Sequence, residues 1–293
     1  MKKILFIALL AASISSCDNL TEGVVRDIEL PEHTPVLVGT LFADNLDSTL
    51  YAVISQTRGL LDTNASELLE DATINMYKDN VLLHTWNTQD PQSGYYELPL
   101  SDTLGADAGT YTFEVLHTNF DPITATDQFP LRPRISGVEL NKGVTQVFQS
   151  PADEILITLE DIAWVNQHYV LVASIRFTDF NAIGDTSWYP IDLYTDDQRT
   201  TQLTGEGLLI SENGIDADLA LNLAAPIFLA GEQYEYRLTV KSLSEAAHNY
   251  YRSISTYQNA QNNPFAEPVV IYSNVDGGYG VFGLSRSLEL ILE

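Results

Sequence analysis

The chain is poor in cysteine and in basic residues. Cys17 is the only cysteine in 293 residues, so an intramolecular disulfide is excluded and stability must come from core packing. Lysine and arginine together number 14 against 40 acidic residues, which gives a net charge of −26. A field of that sign repels phosphate groups and anionic lipid headgroups. The composition therefore argues against nucleic acid as a partner and against flat adsorption on a membrane.

Only one apolar run stands out, at residues 4–12 (ILFIALLAA). It follows Lys2 and Lys3 and is too short to span a bilayer, so it predicts the apolar part of an export signal. The residues ISSC at 14–17 resemble the lipobox of bacterial lipoproteins, whose cysteine receives a diacylglycerol and becomes the new N-terminus. The alternative is an ordinary signal peptide that carries a cysteine by chance.

We therefore expect residues 1–16 to be a lipoprotein signal peptide and Cys17 to be the lipid anchor in the membrane. Removal of the signal leaves 12 basic residues against 40 acidic ones, a net charge of −28. Residues 17–33 are polar and acidic, which indicates a tether. The length of the remaining chain exceeds what one hydrophobic core usually needs and favours two domains.

Alternating apolar and polar residues predict a sandwich in the first half of the chain. The predicted strands are 36–42, 49–54, 72–77, 81–86, 95–98 and 109–116. Lys78-Asp79-Asn80 is typical of a hairpin turn between two of them. Residues 107–115 (DAGTYTFEV) are similar to the tyrosine corner of immunoglobulin-like folds, which predicts a structural role for Tyr111 and, as the alternative, a ligand contact. An immunoglobulin-like β-sandwich over 34–133 follows.

A second, larger β-rich domain is predicted over 134–293, because prolines near residue 133 are followed by strand patterns at 155–159, 168–177 and 233–240. Polar and turn residues between 179 and 222 predict long loops, where binding residues are often found. The candidate partner or ligand contacts there are aromatic residues and one arginine: Trp188, Tyr189, Tyr194 and Arg199. Each could equally belong to the core, and we favour the core for Trp188 and Tyr194. The fold class is therefore mostly all-β.

One short helix is predicted from Ser244, a plausible N-cap, to about Gln258. Ala247, a tyrosine at 250 or 251, Ile254 and Tyr257 share one stripe, which favours packing on a sheet. Three tyrosines in eight residues exceed what a covering helix requires, so a recognition surface is the alternative.

The chain lacks the spacings that indicate a catalytic site. The five histidines show no metal-binding spacing, there is no Gly-x-Ser-x-Gly turn and there is no cysteine nucleophile. Asp196-Asp197 with Asp216 and Asp218 could bind calcium, but they lack the regular spacing of calcium loops, which favours solvated charge. We expect a protein that is not an enzyme and that carries no cofactor or metal.

Two C-terminal segments resemble the signature of a Bacteroidota outer-membrane lipoprotein family of unknown function, DUF4249. They are residues 242–258 (SLSEAAHNYYRSISTYQ) and 263–283 (NPFAEPVVIYSNVDGGYGVFG). In the second segment, Gly277, Gly278 and Gly280 predict a tight turn between buried strands. A phosphate-binding loop is the alternative, but no lysine and no following helix support it.

The resemblance implies a location and a partner, because genes of this family often lie beside those of TonB-dependent receptors. We expect a protein lipid-anchored in the outer membrane, on the cell-surface or the periplasmic face. Its expected function is that of an accessory, substrate-capturing partner of a TonB-dependent outer-membrane receptor, with a peptide, glycan or metal chelate as ligand. The alternative is a structural or assembly subunit of a larger cell-envelope complex.

Overall fold

The strands of the protein, seen in a computed structural model, follow the alternation of its sequence. The structure describes residues 33–59, 62, 68–100, 104, 108–162, 165–177, 187–203, 205, 207–211, 217–227, 233–261 and 265–293. Cys17 and the predicted signal peptide lie outside them. Pro35–Glu293 forms one compact unit.

The described residues form seventeen strands and one helix, so the prediction of a mostly all-β protein with one short helix is confirmed. The helix is α1 (Glu245–Gln261). The strands are β1 (Leu37–Asp44), β2 (Thr49–Gln56), β3 (Thr73–Lys78), β4 (Val81–Trp86), β5 (Tyr96–Pro99), β6 (Thr110–His117), β7 (Phe120–Gln128), β8 (Ile135–Val147), β9 (Ser150–Leu159), β10 (His168–Phe177), β11 (Tyr189–Ile191), β12 (Thr200–Leu203), β13 (Gly207–Ser211), β14 (Leu219–Pro226), β15 (Tyr234–Leu243), β16 (Val275–Asp276) and β17 (Tyr279–Leu292).

A sandwich forms from the first seven strands together with the end of the chain. A five-stranded sheet in the order β16-β7-β6-β3-β4 packs against β1, β2 and β5. Its core buries side chains from every second position of the strands, among them Leu41, Ile54 and Phe113. Tyr111 is buried and its ring packs edge-on against Phe129, at 5.1 Å between centroids, in agreement with a structural role.

The last strand closes this sandwich by pairing parallel with the first. Gly280 lies opposite Gly39 in the β1–β17 register, with a φ of 122°. A Cβ at Gly280 would lie 1.9 Å from the carbonyl oxygen of Gly39, so only glycine fits there. The Asn274 side chain spans the turn, since it accepts from the Phe282 amide at 3.0 Å and donates to the Phe282 carbonyl at 2.9 Å. The glycine run is therefore the tight turn that the sequence predicts.

A nine-stranded sheet contains strands from both sides of residue 133. Its order is β12-β13-β10-β15-β17-β1-β2-β5, with β11 added on β10. Two main core clusters lie along it, one under β1, β2 and β5 and one under β10 and β15. The β17 strand contributes Phe282 and Leu284 to the first cluster and Leu292 to the second. The boundary at 133/134 stays a prediction, and the structure adds that β17 serves both clusters.

The second core lies between β10–β15 and a three-stranded sheet in the order β14-β9-β8. One carboxylate is buried in it, that of Asp153, which accepts hydrogen bonds from the hydroxyls of Tyr234 at 2.7 Å and Tyr236 at 2.9 Å. The predicted long loops over 179–222 are wrong where β11, β12, β13 and the start of β14 lie, while residues 179–186, 204, 206 and 212–216 lie outside the described part of the chain. Asp196, Asp197 and Gly205, which contributed to the loop-like composition, lie between these short strands.

Candidate functional site

An open groove lined by aromatic side chains runs beside the helix. We call it the aromatic groove and define it by Phe42, Tyr51, Tyr95, Tyr250 and Tyr251; its volume is about 630 Å³. Its floor is the outer face of β1 and β2, and one wall is α1. Tyr51 and Tyr95 are 51% and 41% exposed, so their rings are accessible to a ligand.

Strand alternation and helix capping place these rings. On β2, Tyr51 points outward because its neighbours Leu50 and Ala52 are buried in the first core. Ser244 is the N-cap of the helix as predicted, since the Ser244 Oγ accepts a hydrogen bond from the Ala247 amide at 3.2 Å. Ala247 is buried against the sheet, which sets the rotation of α1 about its axis.

The helical tyrosines pack against a ring from β1. Tyr250 and Tyr251 lie 5.3 Å and 5.5 Å from the Phe42 ring, between centroids. Contacts of this kind immobilise rings without burying them fully. The predicted packing of the tyrosine stripe on a sheet is therefore correct for Tyr251, whereas Tyr257 is 39% exposed and takes no part in it.

Charged groups lie at one end of the aromatic groove, namely Asp44, Asp47 and Lys241. The Asp47 carboxylate accepts a hydrogen bond from the Asp44 amide at 2.7 Å. Burial raises the pKa of Asp47, and the positive charge of Lys241 acts in the opposite direction. The groove thus combines apolar ring faces with a small number of charged groups, as ligand-binding clefts generally do.

A second, polar cleft of about 640 Å³ lies at the start of the helix. It is lined by Asp127, Gln167, His168, Ser244 and Glu245, among others. Asp127 accepts a hydrogen bond from the Leu284 amide at 2.9 Å, and burial raises the pKa of its carboxyl to about 6. Because Leu284 lies on β17, Asp127 joins β7 to the closing strand.

Two histidine rings stack beside this cleft. His168 and His248 are parallel within 3°, and their ring centroids are 3.6 Å apart. Burial, together with the neighbouring charges of His168 and Arg252, lowers the pKa of His248 to about 4. The Ser211 hydroxyl hydrogen-bonds with His248 Nε2 at 2.8 Å. Burial lowers the pKa of His168 as well, which favours the uncharged form of both stacked rings.

Two of the four residues predicted as contacts lie at the start of β11, at the nine-stranded sheet: Tyr189 is its first residue and Trp188 precedes it. Trp188 is half-buried, with the guanidinium groups of Arg176 and Arg237 at 4.6 Å and 4.9 Å from its ring centroid. Arg176 also pairs with Glu235. Trp188 is thus held by surface contacts, while Tyr189 on β11 is 45% exposed.

The other two predicted contacts lie near the β8–β9 hairpin. Tyr194 is half-buried and exchanges backbone hydrogen bonds with Ala224, of 2.9 Å and 2.7 Å. Its ring meets that of Phe148 edge-on at 5.3 Å. Arg199 pairs with Asp197 at 2.5 Å, and this hydrogen bond lowers the pKa of Asp197.

None of the four predicted contacts lines the aromatic groove. Sequence reasoning missed Phe42, Tyr51 and Tyr95, although the outward positions of predicted strands could have identified the first two. It also missed Phe148, which is 83% exposed.

Within the described part of the chain, no group of three or more His, Cys, Asp or Glu side chains is placed to hold a metal ion. No helix in that part has the length and apolar character needed to cross a membrane.

Comparisons with known proteins point to one family. No curated protein matches the chain. A solved chimeric titin Z1Z2-Z1Z2 tandem, functionalized with a GRGDS exogenous peptide from fibronectin, is 13% identical; the match covers 71% of this chain and 91% of that one, with a TM-score of 0.21. A structure of manganese lipoxygenase of Gaeumannomyces graminis, with a partial structure of zonadhesin of Komagataella pastoris, is 15% identical over 87% of this chain and 97% of that one, with a TM-score of 0.18. Neither likeness is close enough to carry an argument.

The family described as "Domain of unknown function (DUF4249)" matches residues 26–290, and the chain therefore belongs to that family.

Proposed function

We propose that this protein is a non-catalytic accessory lipoprotein of a TonB-dependent outer-membrane transporter, and that its aromatic groove captures the ligand that the transporter imports. The observation that carries the proposal is the gathering of five aromatic rings around one groove of about 630 Å³. Two of these rings belong to the tyrosine-bearing helix of the family signature.

The groove suits a ligand with flat apolar faces and polar edges. Aromatic rings provide large contact areas at a low cost in conformational entropy, and tyrosine hydroxyls add hydrogen bonds. Sugar rings, peptide side chains and the organic part of a metal chelate all have such faces. The net charge of −26 favours neutral or cationic ligands over anionic ones.

Lipidation of Cys17 would confine the protein to the membrane that holds the transporter. Two or three acyl chains are sufficient for stable attachment. Two proteins held in one membrane meet at a high effective concentration, so a modest interface suffices for their association.

Replacement of one exposed groove tyrosine tests the role of the groove. In a strain that lacks this gene, we expect the wild-type gene to restore growth on the imported nutrient and the Tyr51→Ala variant to fail at limiting nutrient concentration. Tyr279→Ala is the matched control, because Tyr279 is also an exposed strand tyrosine, at 59%, and lies outside the groove. Normal growth of the deletion strain on every nutrient would contradict the proposal.

A structural or assembly subunit is the second candidate, and one observation favours it. The β4 strand ends the five-stranded sheet, and its residues Val81, Leu82 and Leu83 are 65%, 52% and 39% exposed. An apolar strand at the end of a sheet can accept a strand from another protein. Co-purification with secretion or barrel-assembly components, and with no transporter, would support this second candidate.

A further inference from the structure

Two hairpins of this protein have turns of the same backbone shape and very different residues. Asp79 and Asn80 join β3 to β4 with φ angles of 49° and 66°. Phe148 and Gln149 join β8 to β9 with φ angles of 49° and 67°. Both are two-residue connections with two left-handed residues, which is the pattern of type I′ turns.

The residues of the second turn are poorly suited to that shape. Aspartate and asparagine enter the left-handed region readily, whereas a bulky side chain there is an outlier. The left-handed conformation costs roughly 1–2 kcal/mol for an ordinary L-residue. Phe148 and Gln149 therefore do not serve the folding of the hairpin, for which residues like those of the first turn are available.

Burial does not account for Phe148 either. Its side chain is 83% exposed, and Val144 on the same hairpin is 64% exposed. One edge contact with Tyr194, at 5.3 Å between ring centroids, holds the ring in place. An exposed aromatic side chain on a strained backbone points to a role other than stabilising the fold.

The surroundings of Phe148 indicate the chemistry of its partner. A hollow of about 640 Å³ beside the ring is lined by Phe148 and Tyr194, and its only charged lining residues among those the structure describes are Asp196 and Asp197. Arg199 neutralises Asp197, while Asp196 is exposed. A complementary surface would thus be apolar at its centre and basic at its rim.

We propose that the turn at Phe148–Gln149 is a docking anchor for a partner protein, in which the Phe148 ring enters an apolar socket bordered by lysine or arginine. The anchor is distinct from the aromatic groove. It adds a partner-binding surface to the proposed function, and it does not depend on the partner being a transporter. Insertion of the ring into lipid is disfavoured, because the acidic surroundings are repelled by an anionic bilayer surface.

Photo-crosslinking in living cells identifies the partner. The photoreactive residue benzoylphenylalanine replaces Phe148 in the full chain, and Tyr279, an exposed strand tyrosine at 59%, is the control position. We expect position 148 to cross-link to one envelope protein, at an apolar site flanked by basic residues, and position 279 not to do so. Cross-linking of position 148 to lipid alone would overturn the proposal.

A turn exchange then separates docking from folding. The F148N/Q149G variant converts the strained turn to Asn-Gly, the preferred type I′ sequence. We expect its Tm to rise by a few degrees while its affinity for the cross-linked partner falls at least tenfold. The D79N/N80G variant idealises the other turn, so it should leave the affinity unchanged.

Each outcome decides between separate claims. Unchanged affinity in F148N/Q149G, with an intact fold by circular dichroism, overturns the docking anchor and leaves the proposed function standing. Loss of affinity towards a partner that is not a TonB-dependent transporter supports the anchor, and the proposed function is then decided separately by the growth of the Tyr51→Ala strain. If F148N/Q149G does not fold, F148N alone provides the same comparison, and affinity retained in F148N overturns the anchor.

Discussion

Two groups near the polar cleft, the buried His248 and the half-buried Asp127, should give the free energy of unfolding opposite dependences on pH. His248 has a pKa lowered by burial to about 4, and Asp127 has a pKa raised by burial to about 6. In the wild-type protein the contribution of Asp127 partly cancels that of His248. Replacement of Asp127 by Asn should therefore leave the full pH dependence of the free energy of unfolding that is due to His248.

The signs of these two pH dependences follow from whether the folded or the unfolded state binds more protons. The lowered pKa of His248 means that the unfolded state takes up its proton first, so the stability that His248 contributes is complete above pH 6.5 and is lost as the pH falls toward 4. The raised pKa of Asp127 means that the folded state takes up its proton first. Stability due to Asp127 therefore increases as the pH falls through 6 toward 3.8.

Between pH 7 and pH 5, linkage gives a loss of about 2 kcal/mol in the free energy of unfolding from His248 and a gain of about 1 kcal/mol from Asp127. Burial also lowers the pKa of His168, which adds to the loss. We expect the wild-type protein to lose about 1 kcal/mol and the Asp127→Asn variant to lose about 2 kcal/mol.

Urea unfolding followed by tryptophan fluorescence at pH 7, 6 and 5 measures these free energies. Asp121→Asn is the matched control, because Asp121 lies on the same strand and is exposed. Its pH dependence should equal that of the wild-type protein. Equal pH dependences of Asp127→Asn and wild type would refute the reasoning, as would a wild-type stability that rises on acidification.

Two further predictions concern the closure of the fold and the anchor. Gly280→Ala should destabilise the protein by more than about 3 kcal/mol in urea unfolding, because its Cβ would collide with the Gly39 carbonyl. Gly137→Ala, whose Cβ meets no described residue within 4 Å, should have little effect, and equal effects of the two substitutions would contradict the close approach at Gly280. Cys17→Ser should release the protein from the membrane fraction or leave its signal uncleaved; processing with salt-resistant attachment would contradict lipidation.

Local patterns in the sequence predicted much of the fold. Strands β1 to β6 begin and end within one or two residues of the predicted bounds, and β1, β2 and β6 alternate more and less buried side chains along most of their length. The turn at Asp79–Asn80 was predictable, since these residue types enter the left-handed region. Ser244 predicted the start of the helix by the same kind of local chemistry.

Contacts between distant parts of the chain could not be predicted from such local patterns. The parallel pairing of β1 with β17 joins Val38 to Tyr279, and nothing near either residue indicates the other. The turn at Phe148–Gln149 lacks the residue types that predict a turn. The same unsuitable residues make it a candidate docking anchor. In β14, Leu219, Leu221 and Leu223 alternate with polar or small residues, and this pattern within the supposed loops could have been recognised.

The candidate site was harder to predict than the fold. Residues of the aromatic groove come from β1, β2, the segment before β5 and the helix, so only the folded sheet brings them together. Trp188 and Tyr194 were candidate contacts because these aromatic residues stand among polar ones, although the sequence favoured the core for both. The structure shows Trp188 held by two arginines and Tyr194 held by the β14 backbone and Phe148.

The central proposal is that this protein, lipidated at Cys17, works together with a TonB-dependent transporter. The most direct measurement is affinity purification of the full-length protein, produced in its native host, from detergent-solubilised envelopes, with quantification of the proteins that accompany it. The account predicts that one TonB-dependent barrel co-purifies in near-equal amount. Recovery of the protein without any such barrel, or with barrel-assembly or secretion components in its place, would contradict the claim.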